Sequence, residues 1–192
     1  RRDRISSGAM GEVYKMEIDG VVVAAKVPFA LLNPETFQLG LDPAARATVL
    51  KDCTRELSAL RRLAGHPNIV GFRGVAYAAV EGLVFPKWIF MDYVEGTLEK
   101  RIVLGEVNFL PDLIGIVAGL EYIHNQGMMH RDIKPQNILV AEGGTVKLAD
   151  LGFARVVHLL SGVLGSLTAM GTPAYLAPDV SALTSPYPSA IP

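Results

Sequence analysis

The amino-acid sequence changes period part-way along, and that change constrains the fold more than any other feature. Residues 12–15 alternate, Asp19-Gly20 marks a two-residue turn, and residues 21–23 are β-branched. With a further turn over residues 6–11, the first 27 residues therefore read as an antiparallel hairpin plus a third strand. An irregular connection punctuated by Pro28, Pro34, Gly40 and Pro43 precedes a helical pattern over about residues 44–63, which puts Leu50, Cys53, Leu57 and Leu60 on one face. His66-Pro67-Asn68 breaks it, and Ile69-Val70, residues 75–79 and residues 88–93 predict two more strands around a loop at 81–86. Past Gly96 the helical period takes over. Pro111 opens a helix to about Asn125, with Leu113, Val117, Leu120 and His124 inward, and Gly127 closes it. Two short strands at 138–140 and 146–149 come next, joined by Glu142-Gly143-Gly144, then a loop to Pro178. The expected class is α+β.

Composition removes several function classes. The 192 residues carry 18 Lys+Arg against 19 Asp+Glu, so charge points neither to nucleic acid nor to an anionic membrane. Half are apolar and only 19% charged, which excludes disorder for most of the chain. Residues 21–32 form an apolar stretch interrupted by Lys26 and Pro28, well short of the ~20 residues of a membrane span. A single cysteine, Cys53, forms no internal disulfide, and no Cys/His cluster offers a zinc site. A reducing, cytoplasmic location is expected. The sequence opens Arg-Arg-Asp-Arg, with neither an initiator methionine nor a signal segment, so it is expected to begin inside something longer or to have been processed.

Residues 6–13, Ser-Ser-Gly-Ala-Met-Gly-Glu-Val, lie between two strands, where Gly8 and Gly11 can bring backbone amides close to a polyphosphate. By themselves two glycines fit an ordinary hairpin turn better. Lys26 sits in Val-Ala-Ala-Lys-Val, a strand with the look of a buried one, where a charge is costly unless an anion or carboxylate meets it. It is either an edge lysine reaching water or a phosphate-gripping lysine steadied by a carboxylate. Glu56, on the following helix, is the candidate carboxylate, its alternative being a solvated helical residue.

The most informative stretch is residues 129–139, Met-His-Arg-Asp-Ile-Lys-Pro-Gln-Asn-Ile-Leu. It closely resembles the catalytic loop of protein kinases, and the flanking motifs fall in that family's order. The chemistry suits the residue types: a carboxylate to orient a hydroxyl, a cation to neutralise developing charge, an amide oxygen to ligate magnesium. By this resemblance Asp132 and Lys134 are catalytic, with Lys26 and Glu56 positioning phosphates, and Asn137 and Asp150 bind the metal. Lys134, two residues after the aspartate, is similar to the serine/threonine branch. Asp150-Leu151-Gly152 resembles the family's Asp-Phe-Gly, with leucine filling the apolar slot under the Glu56 helix. His130 is expected to be a packing residue beneath Leu151.

The resemblance covers about residues 5–180. It implies a two-lobe fold: a five-stranded antiparallel sheet plus one helix over 1–94, and a mostly helical, partial second lobe over 95–192. Ile5, Val13, Ala24 and Leu139 match positions that sandwich an adenine, while Met91 resembles the gatekeeper and Asp92 and Val94 the hinge. Gly8 and Gly11 match the phosphate loop, whose first glycine is replaced here by Ser6. Residues 171–179 resemble the end of the activation segment, and Ser161, Ser166 and Thr168 become candidate phosphosites for an upstream kinase, facing Arg131. The implied cofactors are ATP and magnesium, and the implied partner is a protein with a serine or threonine acceptor. Because the sequence stops soon after Asp179, helices that anchor the catalytic loop are expected to be missing. An alternative is therefore a truncated, weakly active or inactive module that binds nucleotide or a partner.

Overall fold

The computed structural model describes residues 2–8, 11–27, 43–80, 83–156 and 172–176. The candidate phosphosites and Asp179 lie outside them. Strands β1 (Arg2–Gly8), β2 (Gly11–Ile18), β3 (Val21–Val27), β4 (Phe72–Val80) and β5 (Leu83–Asp92) form one antiparallel sheet in the order β1-β2-β3-β5-β4. Asp19 and Gly20, both at positive φ (51° and 77°), make the turn between β2 and β3 that an Asp-Gly pair favours. β1 runs through Gly8 and pairs it with Gly11, so both strands extend into the stretch 6–11 expected to be a turn. The loop expected at 81–86 likewise shrinks, because β5 begins at Leu83.

Helix α1 (Pro43–Arg62) packs on this sheet through the stripe anticipated from its period: Cys53, Leu57 and Leu60 are buried, joined by Ala59. Arg61 and Arg62 close its last turn, where the helix dipole favours cations. Beyond the sheet come β6 (Gly96–Thr97), α2 (Leu98–Leu104), α3 (Phe109–Asn125), β7 (Met128–Met129), β8 (Ile138–Val140), β9 (Val146–Leu148) and β10 (Arg155–Val156). Helix α2 escapes the periodicity argument because it is only two turns long. Its punctuation is legible afterwards: Thr97 caps it by accepting from the Lys100 amide, and Gly105 ends it at φ 70°.

Helix α3 starts at Phe109, two residues before the proline expected to open it, and it buries a different face. Asp112, Gly115, Gly119 and Ile123 are buried and Leu120 is partly so, whereas Leu113, Val117 and His124 are exposed. Close approach explains the reversal. A Cβ on Gly115 would lie 2.4 Å from Val146 Cγ2, and one on Gly119 would lie 2.9 Å from both the Asn68 carbonyl oxygen and a Leu148 methyl. Choosing the larger apolar side chains as the inward stripe missed a seam built from small residues. Asp112 is buried there because Arg101 donates to one of its oxygens at 3.1 Å and the Asn108 amide to the other at 3.0 Å. One core runs from Ala24, Leu57 and Ile89 across Ile69 and Val70 to Ile123, Leu148 and Leu151. Each such aliphatic side chain contributes ~1.5–3 kcal/mol on burial, so the seam between the sheet and the helices is well anchored. That continuity fixes the cleft between them. Among the described residues, no helix is long and apolar enough to cross a membrane.

Candidate active site

The cleft has a volume of about 450 Å³ and is lined from the sheet by Ile5, Ser6, Gly11, Val13, Ala24, Lys26 and Met91, and from α1 by Glu56. Asp92 at the end of β5 and Val94 and Glu95 in the connection after it also line the cleft, and the far wall is Gln136, Asn137, Leu139, Ala149 and Asp150. Of the other residues singled out from sequence, Gly8 ends β1 opposite Gly11, and Asp132 and Lys134 are not among the residues that line the cleft. Asp92 commits its backbone N–H to the Gly71 carbonyl at 2.9 Å, so that N–H is no donor to a ligand.

Lys26 is fixed by the register of β3 between β2 and β5, opposite Val13 on one side and Ile89 on the other. It is 5% exposed and donates to Glu56 Oε1 at 2.6 Å and Asp150 Oδ1 at 2.8 Å. The edge-lysine alternative and the solvated Glu56 are thereby excluded. Burial alone would lower the Lys26 pKa, but the two carboxylates outweigh it and raise it, so the ammonium is kept charged. For Glu56 burial dominates and raises the pKa, with Lys26 pulling it back and Asp150 adding to the rise. Asp150 follows β9 in a left-handed conformation (φ 59°), which turns its carboxylate into the cleft. Leu151 is fully buried in the turn that lies against α1.

The loop between β7 and β8 gathers the rest. His130 is buried; its Nδ1 accepts from the Asp132 amide, so Nε2 carries the proton and donates to the Ala149 carbonyl at 2.9 Å. Burial pushes its pKa down, which keeps the ring neutral. His130 thus ties the loop to the strand end that carries Asp150, as a packing residue would. Asp132 Oδ2 accepts from Asn137 Nδ2 at 2.8 Å and pairs with Lys134 Nζ at 2.9 Å. Its Oδ1 accepts from both the amide and the hydroxyl of Thr172, at 2.9 and 2.8 Å. Burial favours protonation of Asp132, yet the bonds from Lys134, Thr172 and Asn137 hold its pKa below the usual carboxylate value. Lys134 Nζ also donates to the Thr172 hydroxyl at 2.7 Å. An alcohol is therefore held between a carboxylate and an ammonium, a pairing that can orient a hydroxyl and offset charge as it develops.

The Asn137 side-chain amide donates twice to Asp132, once to the carboxylate and once to the carbonyl, each at 2.8 Å. Its amide oxygen is thus the atom left for the cleft that it lines, on the same wall as the Asp150 carboxylate. One amide and one carboxylate oxygen suit magnesium, which binds few protein oxygens and completes its shell with water and phosphate. No cluster of three or more His, Cys, Asp or Glu occurs among the described residues. Sequence reasoning missed the contacts of Thr172, although the residue lies within the stretch that resembles the end of an activation segment. It also missed Lys100 and Gln136 in the lining of the cleft, since Lys100 belongs to no motif and Gln136 is a variable position within the catalytic-loop stretch.

A family model for the protein kinase domain matches residues 1–190. The chain belongs to the protein kinase domain family. It is 33% identical over 178 residues to mitogen-activated protein kinase kinase kinase 3 of Arabidopsis thaliana, covering 92% of this chain and 26% of that protein. It is 34% identical over 186 residues to serine/threonine-protein kinase 36 of Mus musculus, covering 93% and 12%. It is 32% identical over 186 residues to CBL-interacting serine/threonine-protein kinase 7 of Arabidopsis thaliana, covering 92% and 39%. The chain thus spans well under half the length of these curated relatives.

Proposed function

We propose that the cleft binds ATP with magnesium and that the chain transfers the γ-phosphoryl group to a serine or threonine hydroxyl of a protein. The observation that carries this reading is the alcohol of Thr172 held jointly by Asp132 and Lys134, which matches the grip needed on an acceptor hydroxyl. Residues 1–94 supply most of the nucleotide site. Ile5, Val13, Ala24 and Leu139 enclose the adenine, Met91, Val94 and the carbonyl side of Asp92 border its edge, and Gly8 and Gly11 face the phosphates. Lys26, steadied by Glu56, takes phosphate oxygens. Residues 95–192 supply the transfer groups: Asp132 orients the acceptor and receives its proton, and Lys134 offsets charge on the moving phosphoryl group. Asn137 and Asp150 hold the magnesium, which when bound neutralises phosphate charge and fixes its orientation. The γ-phosphorus–oxygen bond to ADP breaks as the bond to the acceptor oxygen forms, and ADP leaves.

A protein substrate, an upstream kinase acting on Ser161, Ser166 or Thr168, and a cytoplasmic location belong to the same proposal. Magnesium-dependent ATP binding, measured by calorimetry on the wild-type chain and on Asp150→Ala, tests it. Binding that needs magnesium and weakens at least tenfold in the variant, about 1.4 kcal/mol, supports the reading; binding indifferent to both overturns it.

A further inference from the structure

On the face of the sheet turned away from the cleft, three side chains outside the proposed machinery are joined through one carboxylate, with Arg4 itself 60% exposed. Arg4 Nη1 donates to Glu12 Oε1 at 2.8 Å, and the Tyr14 hydroxyl donates to Glu12 Oε2. Both carboxylate oxygens are therefore engaged. The Glu12 side chain is 12% exposed, and the Tyr14 ring is braced edge-on against Trp88 with centroids 5.8 Å apart.

The pairing of β1 with β2 gives this network its meaning. Arg4 lies opposite Tyr14, but Ser6 lies opposite Val13, so Ile5 is an extra residue in β1. The bulge re-aims the next side chains of the strand. Arg4 stays on the outer face with Glu12 and Tyr14, while Ile5 and Ser6 both line the cleft with Val13. The bond from Arg4 to Glu12 runs diagonally across the bulge, since Glu12 lies opposite Ser7. Without that tie, an ordinary one-to-one pairing would set Ile5 opposite Val13 and Ser6 opposite Glu12, turning Ser6 out of the cleft.

We propose that Glu12, held between Arg4 and Tyr14, is a positioning residue for the nucleotide. It pins the bulge at Ile5 and so fixes both the roof of the cleft and the base of the phosphate loop. It sets affinity for ATP and takes no part in the transfer. This inference rests on the reading of the cleft as an ATP site.

The test is the Kd for magnesium–ATP, at a temperature where near-ultraviolet circular dichroism shows every variant folded. Glu12→Ala is expected to raise Kd about tenfold and Tyr14→Phe about threefold, while Glu12→Gln, whose Oε1 still accepts from Arg4 and whose Nε2 can donate to the Tyr14 hydroxyl oxygen, returns to within about threefold of wild type. The rate at saturating ATP should stay within about twofold, since only positioning of the nucleotide is altered. Should Glu12→Ala not fold, Tyr14→Phe combined with Arg4→Ala gives the same reading. A folded Glu12→Ala or double variant with unchanged Kd overturns the inference alone, as does a loss confined to the saturated rate. A wild-type chain that binds no magnesium–ATP overturns the ATP reading and this inference together.

Discussion

Removing the cation at Lys26 exposes how the cleft is held. Lys26→Met keeps an apolar stem but leaves Glu56, only 4% exposed, and Asp150 without the ammonium that lies 2.6 and 2.8 Å from them. Taking one partner from a buried pair costs ~3–5 kcal/mol, against the ~5–15 kcal/mol that holds a typical domain together. At roughly 2–4 °C per kcal/mol for a chain of this size, the melting temperature should fall by about 6–20 °C. Adding Glu56→Gln removes the orphaned buried charge, so the double variant should recover at least about half of that loss. Nucleotide binding should stay lost in both, because the phosphate grip is gone. The deficit of the single variant should also shrink as the pH is lowered from about 8 to 6. Glu56 already has a raised pKa from burial, and without Lys26 it rises further; a carboxylate whose folded pKa exceeds its unfolded one gains stability as the pH falls through the folded value. Chemical denaturation of the three proteins across that range measures all of this. A single variant within ~1 kcal/mol of wild type, far below the cost of breaking a buried pair, would refute the reasoning, as would a double variant no more stable than the single.

Two further predictions concern the frame of the site. Gly119→Ala forces a methyl to within 2.9 Å of the Asn68 carbonyl oxygen, so thermal unfolding should show a loss of ~1–3 kcal/mol, and a neutral result would mean that α3 shifts freely on β9. His130 is kept neutral by burial, whereas the unfolded chain takes a proton near pH ~6.5. Its share of stability is therefore complete above that value and fades as the pH drops below it, by at most about 1.4 kcal/mol per pH unit. His130→Gln, whose side-chain Nε2 reaches about as far as the imidazole Nε2 and can still donate to the Ala149 carbonyl, should flatten that part of the stability–pH curve; an unchanged slope would count against it.

Much of this was legible in the sequence, for identifiable physical reasons. The sheet was readable because Asp19-Gly20 and the β-branched strand after it are local signals, and α1 because Cys53, Leu57 and Leu60 repeat at helical spacing. A buried-strand lysine at Lys26 pointed to a need for a carboxylate, but only the resemblance to protein kinases singled out Glu56 as its partner. The inward face of α3 was not readable, because Gly115 and Gly119 are buried through contacts with Asn68, Val146 and Leu148, far away in sequence. Nor were the Thr172 contacts or the diagonal tie from Arg4 to Glu12, whose geometry depends on a bulge that no local pattern announces.

The central claim is that Asp132 and Lys134 hold an acceptor hydroxyl for phosphoryl transfer from ATP. Its most direct test is incorporation of γ-labelled phosphate into a mixture of serine-, threonine- and tyrosine-containing peptides, followed by phosphoamino-acid analysis, for wild type and Asp132→Asn. The account predicts phosphoserine and phosphothreonine from the wild-type chain and a fall of at least about 100-fold in the variant, the range expected on losing a positioned proton acceptor. Labelling of tyrosine alone, or equal labelling by the two proteins, would contradict it.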